Sequence, residues 1–206
     1  SKTTETWRAK LDGITFVKVE KVQEDVAKDA QGAYKIDSRG NILNKLIYQW
    51  GYNPTTGLLE ESRWFDMTMT YASEINKAKG WFSSSLETFY EVLDLALGFA
   101  GAKKGQELES RNILYDALGH QTFKEQVKWL NLTNSRVSVE ASKLTFSNFV
   151  AGQARFIRTD IHAVDDKGNI GSALQWHTQS ISQVDALGNQ LVWVEQEGEG
   201  SDVFVE

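Results

Sequence analysis

A short corner recurs along this chain: an apolar residue, Asp, two variable residues, Gly, then Asn or His. It stands as Ile36-Asp37-Ser38-Arg39-Gly40-Asn41, Tyr115-Asp116-Ala117-Leu118-Gly119-His120, Val164-Asp165-Asp166-Lys167-Gly168-Asn169 and Val184-Asp185-Ala186-Leu187-Gly188-Asn189. Asp29-Ala30-Gln31-Gly32 is a shorter copy, and Tyr52-Asn53-Pro54-Thr55-Thr56-Gly57 a longer one. An Asp at the first position accepts a hydrogen bond from a backbone N–H two residues on. Two residues follow in a type I turn, and the Gly takes the left-handed conformation that closes a bulged hairpin loop. Apolar residues alternate on both sides, so each copy reads as the tip of a β-hairpin. A chain that doubles back this often is directed towards antiparallel β-structure.

The corners at Tyr115–His120 and Val184–Asn189 resemble the tyrosine-aspartate (YD/RHS) repeats of large bacterial surface and secreted proteins, with a step of 20 residues from Asp165 to Asp185. The resemblance covers roughly a third of the chain, and the copies are unevenly spaced, unlike a regular array. The same spacing also arises as general hairpin chemistry, and both readings give antiparallel strands. The resemblance implies a β-rich, extracellular or cell-surface protein of a bacterium.

Alternation places strands at 14–22, 33–37, 41–50 and 58–71, with Met67, Met69 and Tyr71 interleaved with Thr in the last. After Gly80 the period changes. Ser84-Ser85-Leu86-Glu87 matches a capping box, and Leu86, Phe89, Tyr90, Leu93 and Leu97 follow at helical spacing, with Lys103, Lys104 and Gly105 to end the run. This predicts one long helix over about 83–104. Strands are expected again from 121, at 136–140, 143–150, 154–164, 170–184 and 190–196, the last three joined as a meander by the Asp165 and Asp185 corners. The expected fold class is α+β and β-dominated: an antiparallel sheet or partly closed barrel of hairpins with the helix packed on it. Residues 1–206 read as a single domain, with 1–13 and 197–206 as flexible or exchanged terminal arms.

Composition narrows function by exclusion. There is no Cys, hence no disulfide, thiolate nucleophile or thiolate metal site. No window approaches a membrane-spanning apolar run. With 22 Lys+Arg against 28 Asp+Glu and no long basic run, nucleic acid is a poor partner. Neither a Gly-x-Ser-x-Gly elbow nor a phosphate-binding Gly motif occurs. A Cys-free chain suits an exported protein that folds without disulfides and suits a cytoplasmic one equally. Ser at position 1 points to an upstream segment that was removed or to a piece of a longer chain.

The seven Trp are the main functional candidates. A flat ring with a polar handle stacks on sugars and on other proteins, and it also fills cores. Trp64, Trp176 and Trp193 are taken as candidate ligand-binding residues, the last two as cross-strand neighbours around the Asp185 corner. His162 and His177, on the arms of the Asp165 hairpin beside Asp160, are a weaker candidate for acid–base or metal chemistry. His120 reads as a turn residue. One Asp per corner lacks the alternating oxygen ligands of a calcium loop, so no metal and no cofactor are expected. The apolar segment Val203, Phe204 and Val205, on a Gly-containing acidic tether, is the candidate assembly segment: an extended strand that adds to the sheet edge of a neighbouring copy. The leading expectation is therefore a non-enzymatic structural or adhesive protein of the cell surface, assembling with copies of itself into an oligomer or filament. The alternative is a glycan- or small-ligand-binding module using aromatic residues on the sheet.

Overall fold

The computed structural model describes residues 1–9, 15–53, 55–92, 102–132, 135–184 and 190–200. In it, the aspartate corners have the expected chemistry. Asp165 Oδ1 accepts from the amides of Lys167 (2.9 Å) and Asn169 (2.8 Å), while Asn169 Nδ2 donates to Oδ2 at 2.7 Å. Asp37 repeats the set with Arg39 and Asn41. Asp116 repeats it with Leu118 and His120, whose ring Nδ1 replaces the Asn amide at 2.8 Å from Oδ2. Asp29 makes the two amide bonds to Gln31 and Ala33. Asn53 serves the longer copy through Thr55 and Thr56. The glycine that closes each has positive φ, 78° at Gly168 and 93° at Gly119. The Asp185 corner lies outside the described residues.

The corners separate long strands: β1 (Lys2–Ala9), β2 (Phe16–Val26), β3 (Asn44–Tyr52), β4 (Leu59–Thr70), β5 (Ser84–Val92), β6 (Ala102–Tyr115), β7 (Gln121–Asn131), β8 (Arg136–Val150), β9 (Gln153–Val164), β10 (Ile170–Val184) and β11 (Gln190–Glu199). They form one antiparallel sheet in chain order, β1 first and β11 last, and the order does not close into a barrel. Around the Asp29 and Asp37 corners, where a strand is expected at 33–37, the backbone forms no strand but the isolated bridges Lys28 to Tyr34 and Ile36 to Ile42, with bonds such as Lys35 N–H to the Ala27 carbonyl.

The long helix expected over 83–104 is not what the described part of that segment forms: 84–92 is β5 and 102–104 opens β6. Leu86, Phe89 and Tyr90 fit a helical spacing, but Thr88, Phe89, Tyr90 and Val92 also suit a strand, and the neighbouring strand decides. Phe89 stacks on Phe65 at 5.0 Å, and the Tyr90 hydroxyl donates to Asp66 at 2.7 Å. Residues 93–101, with Leu93 and Leu97, lie outside the described residues. A helix of one and a half turns, α1 (Glu74–Lys79), stands earlier. Ser73 caps it by accepting from the Asn76 amide, and Gly80, at φ 70°, ends it.

The chain gathers into two compact units, 1–70 with 86–107 and 71–85 with 108–206. In the first, Trp64 is buried and meets Tyr48 edge-on at 5.2 Å, with Ala27 and Met69 also buried. In the second, Val127, Trp129 and Ala141 form the core, with Val164 and Ile170 packed against it. Full burial of a side chain like Val127 stabilises by about 1.5–3 kcal/mol. Ala151 and Gly152, at φ 50° and 81°, form the two-residue loop between β8 and β9, a type I′ geometry.

Candidate functional site

Three tryptophans of the second unit lie over glycines. A Cβ added to Gly168 would fall 2.4 Å from the Trp129 ring, one on Gly119 3.1 Å from Trp81, and one on Gly198 2.6 Å from Trp176. Each of these rings also carries a cation: Arg136 at 3.9 Å from the Trp129 centroid, Lys79 at 4.1 Å from Trp81 and Arg158 at 5.5 Å from Trp176. Trp129 further donates its Nε1 proton to Glu109 at 3.0 Å, and Trp81 stacks on Tyr115 at 5.1 Å. The absence of a side chain at the corner glycine lets an indole close down on the turn. Trp129 and Trp81 thereby fasten the Asp165 and Asp116 corners, while Trp176 lies over Gly198 within β11.

Of the three sequence-selected tryptophans, Trp176 and Trp193 are not brought together. Trp64 is buried in the first unit. On the β10–β11 ladder Trp176 stands opposite Gly198 and Trp193 opposite Ile181. Trp176 and Ile181 are five positions apart on one strand, so the two indoles point to opposite faces. Trp176 borders a cleft of ≈ 360 Å³ with Ile161, His177, Glu197 and Glu199. Trp193 remains 48% exposed on the last strand, between Val192 and Val194, which are also exposed. Val203, Phe204 and Val205 lie outside the described residues. β11 runs on through Glu197-Gly198-Glu199, and Lys2–Ala9 is laid against β2 as β1.

The two outer strands differ in charge. Glu195, Glu197 and Glu199 alternate on the face of β11 that carries Trp193, opposite Gln179, His177 and Gln175. None of the three has an ion-pair partner among the described residues. β1 carries Lys2 and Arg8, likewise without a carboxylate partner among the described residues, and its Trp7 is 53% exposed.

His162 stands opposite Ala173 and His177 opposite Thr159, so the register keeps the two rings apart. His162 Nδ1 is within 2.9 Å of the Gly171 carbonyl, and Asp160 is held by Arg158 at 2.7 Å. Among the described residues no three His, Asp or Glu side chains gather where they could hold a metal ion. No described helix is long and apolar enough to cross a membrane.

The corner carboxylates are perturbed for local reasons. The Asn169 side-chain and backbone donors hold Asp165 below the usual carboxylate range. At Asp116 loss of hydration works upward, and the hydrogen bonds and charge of His120 outweigh it, with the net shift downward. Both groups are spent on turn closure.

Sequence reasoning did not single out a cleft of ≈ 580 Å³ beside the Asp116 corner and the β8–β9 loop. Its lining includes Lys124, Phe146, Phe149 and Arg155, from three strands. The only sequence-level sign was His120 in a corner position otherwise held by Asn. The chain matches no family model, and no curated protein matches it in sequence.

Proposed function

We propose that this protein is a non-enzymatic structural or adhesive module of a bacterial cell surface or secreted assembly, joined to copies of itself through its outer strands. The observation that carries the reading is β11, the last strand of the order, which pairs with β10 alone among the described residues and exposes Val192, Trp193 and Val194 in succession. Sheets that remain single blunt such a strand with a bulge, a proline or alternating charge. The triplet itself holds no proline and no charge; the ladder is irregular beside it, between Ile181 and Val184, and the glutamates begin at Glu195, so a second strand laid beside Val192–Val194 satisfies the backbone and covers the side chains together.

The occupant is β1 of a second copy. Its Lys2 and Arg8 answer the glutamate row of β11, and an Arg over Trp193 would repeat the cation-over-indole contact that this fold makes at Trp129 and Trp176. An edge that accepts a different edge is a heterologous contact, which grows as a filament unless the rotation closes a ring. Surface or secreted placement rests on the resemblance of the corners to tyrosine-aspartate repeats.

Charge reversal tests the reading. Replacing Glu195, Glu197 and Glu199 by Lys, or Lys2 and Arg8 by Glu, should each reduce assembly, and a mixture of the two variants should regain it. Assembly that ignores both sets of changes would reject the β11–β1 pairing; a protein that stays monomeric at every concentration would reject self-assembly altogether.

A further inference from the structure

We infer that the cleft beside the Asp116 corner is a binding site for an acidic saccharide, one whose sugar ring carries a carboxylate. The cleft encloses ≈ 580 Å³, within the range of small-molecule sites. Its charged side chains are Lys124 and Arg155, and no Asp or Glu lines it. Arg155 Nε is buried and makes no hydrogen bond among the described residues. The Arg155 guanidinium lines the cleft, and such a planar fork matches a carboxylate with two parallel hydrogen bonds.

The remaining walls select what the carboxylate is attached to. Phe146 and Phe149 supply apolar ring faces, suited to the C–H face of a pyranose. The Phe149 wall is held in place: His120 stacks on it with centroids 4.5 Å apart and planes 10° apart, and Asp116 anchors His120 at 2.8 Å. Gln121 and Gln153 line the same space with side-chain amides, which both donate to and accept from hydroxyl groups. A free phosphate would use the cations and leave the aromatic faces idle. A neutral sugar would meet the Arg155 guanidinium with hydroxyl acceptors alone, which bind it less strongly than a carboxylate does. A uronate uses both.

This site does not depend on the strand-addition reading, and its readout is ligand affinity, not particle size. The probes are trigalacturonic acid, its methyl ester and inorganic phosphate, titrated by calorimetry into the full chain. The acid should bind saturably, at least ten-fold more tightly than the ester or phosphate. Arg155→Gln should weaken the acid ten-fold or more, and Trp193→Ala, on β11, should leave it unchanged. Lys124→Gln serves as a second variant should Arg155→Gln fail to fold, with the same expected direction. Absence of saturable binding, equal affinity for acid and ester, equal affinity for phosphate, or retention of full affinity in the variant that folds would overturn the assignment.

Discussion

Placing a methyl group on Gly168 separates the two reasons for a glycine at a corner. At φ 78° the alanine backbone is strained by about 1–2 kcal/mol. The new Cβ would also stand 2.4 and 2.7 Å from two carbons of Trp129, where carbon atoms rest at about 3.5–4.0 Å. The indole cannot simply swing away: it is 5% exposed, bound to Glu109 and covered by Arg136. Overpacking of this kind adds about 1–3 kcal/mol, so Gly168→Ala should cost about 2–5 kcal/mol. Gly152→Ala, in the same unit, is the control, because Gly152 has φ 81° and nothing within 4 Å of its added Cβ. It should lose only the backbone portion, about 1–2 kcal/mol. Urea titrations followed by circular dichroism measure both, and each kcal/mol also lowers the thermal midpoint by about 2–4 °C for a chain of this size. In a Trp129→Leu background the excess cost at Gly168 should vanish. Equal losses for the two alanine variants would refute the claim that tryptophans clamp the corners.

Further outcomes follow from single contacts. Ala151→Asn should stabilise by about 1 kcal/mol, because φ 50° suits the Asn of an Asn-Gly type I′ loop better than Ala; a thermal midpoint that does not rise contradicts this. Tyr90→Phe should destabilise by about 1 kcal/mol in urea through loss of the bond to Asp66. Burial, reinforced by that bond and by the charges of Asp66 and Glu107, raises the Tyr90 phenol well above its usual value. Its contribution is therefore complete below about pH 10 and declines as pH rises towards the higher folded value, so the variant should show a shallower alkaline loss. Asp165 has the opposite sign: its lowered pKa contributes stability above about pH 4 that disappears as pH falls through the folded value. Thermal midpoints between pH 2 and 6 should fall less steeply for Asp165→Asn than for the native chain.

The hairpin corners were legible because their chemistry is local: Asp, Gly and the following Asn or His satisfy each other within five residues. Strand identity along 121–196 was legible for a similar reason, since alternation is a property of the strand itself. The segment after Gly80 was misread because Leu86, Phe89 and Tyr90 satisfy a helical period, whereas Phe65 and Asp66, which hold Phe89 and Tyr90 in a strand, are distant in sequence. The short helix before it was missed because it buries no residue, leaving only the Ser73 and Gly80 caps to announce it. Pairing register was the least legible. Counting residues from the Asp185 corner suggested that Trp176 and Trp193 meet, but the ladder places Gly198 opposite Trp176. The cationic cleft escaped for the same reason, since Lys124, Phe146 and Arg155 belong to three strands whose alignment no local pattern states.

Sedimentation of the native chain across a range of concentrations tests self-assembly through the outer strands most directly. Species that grow in mass with concentration, and fall back to the 23.2 kDa monomer when the β11 glutamates are reversed to Lys, are the predicted result. A single 23.2 kDa species at all concentrations would contradict it.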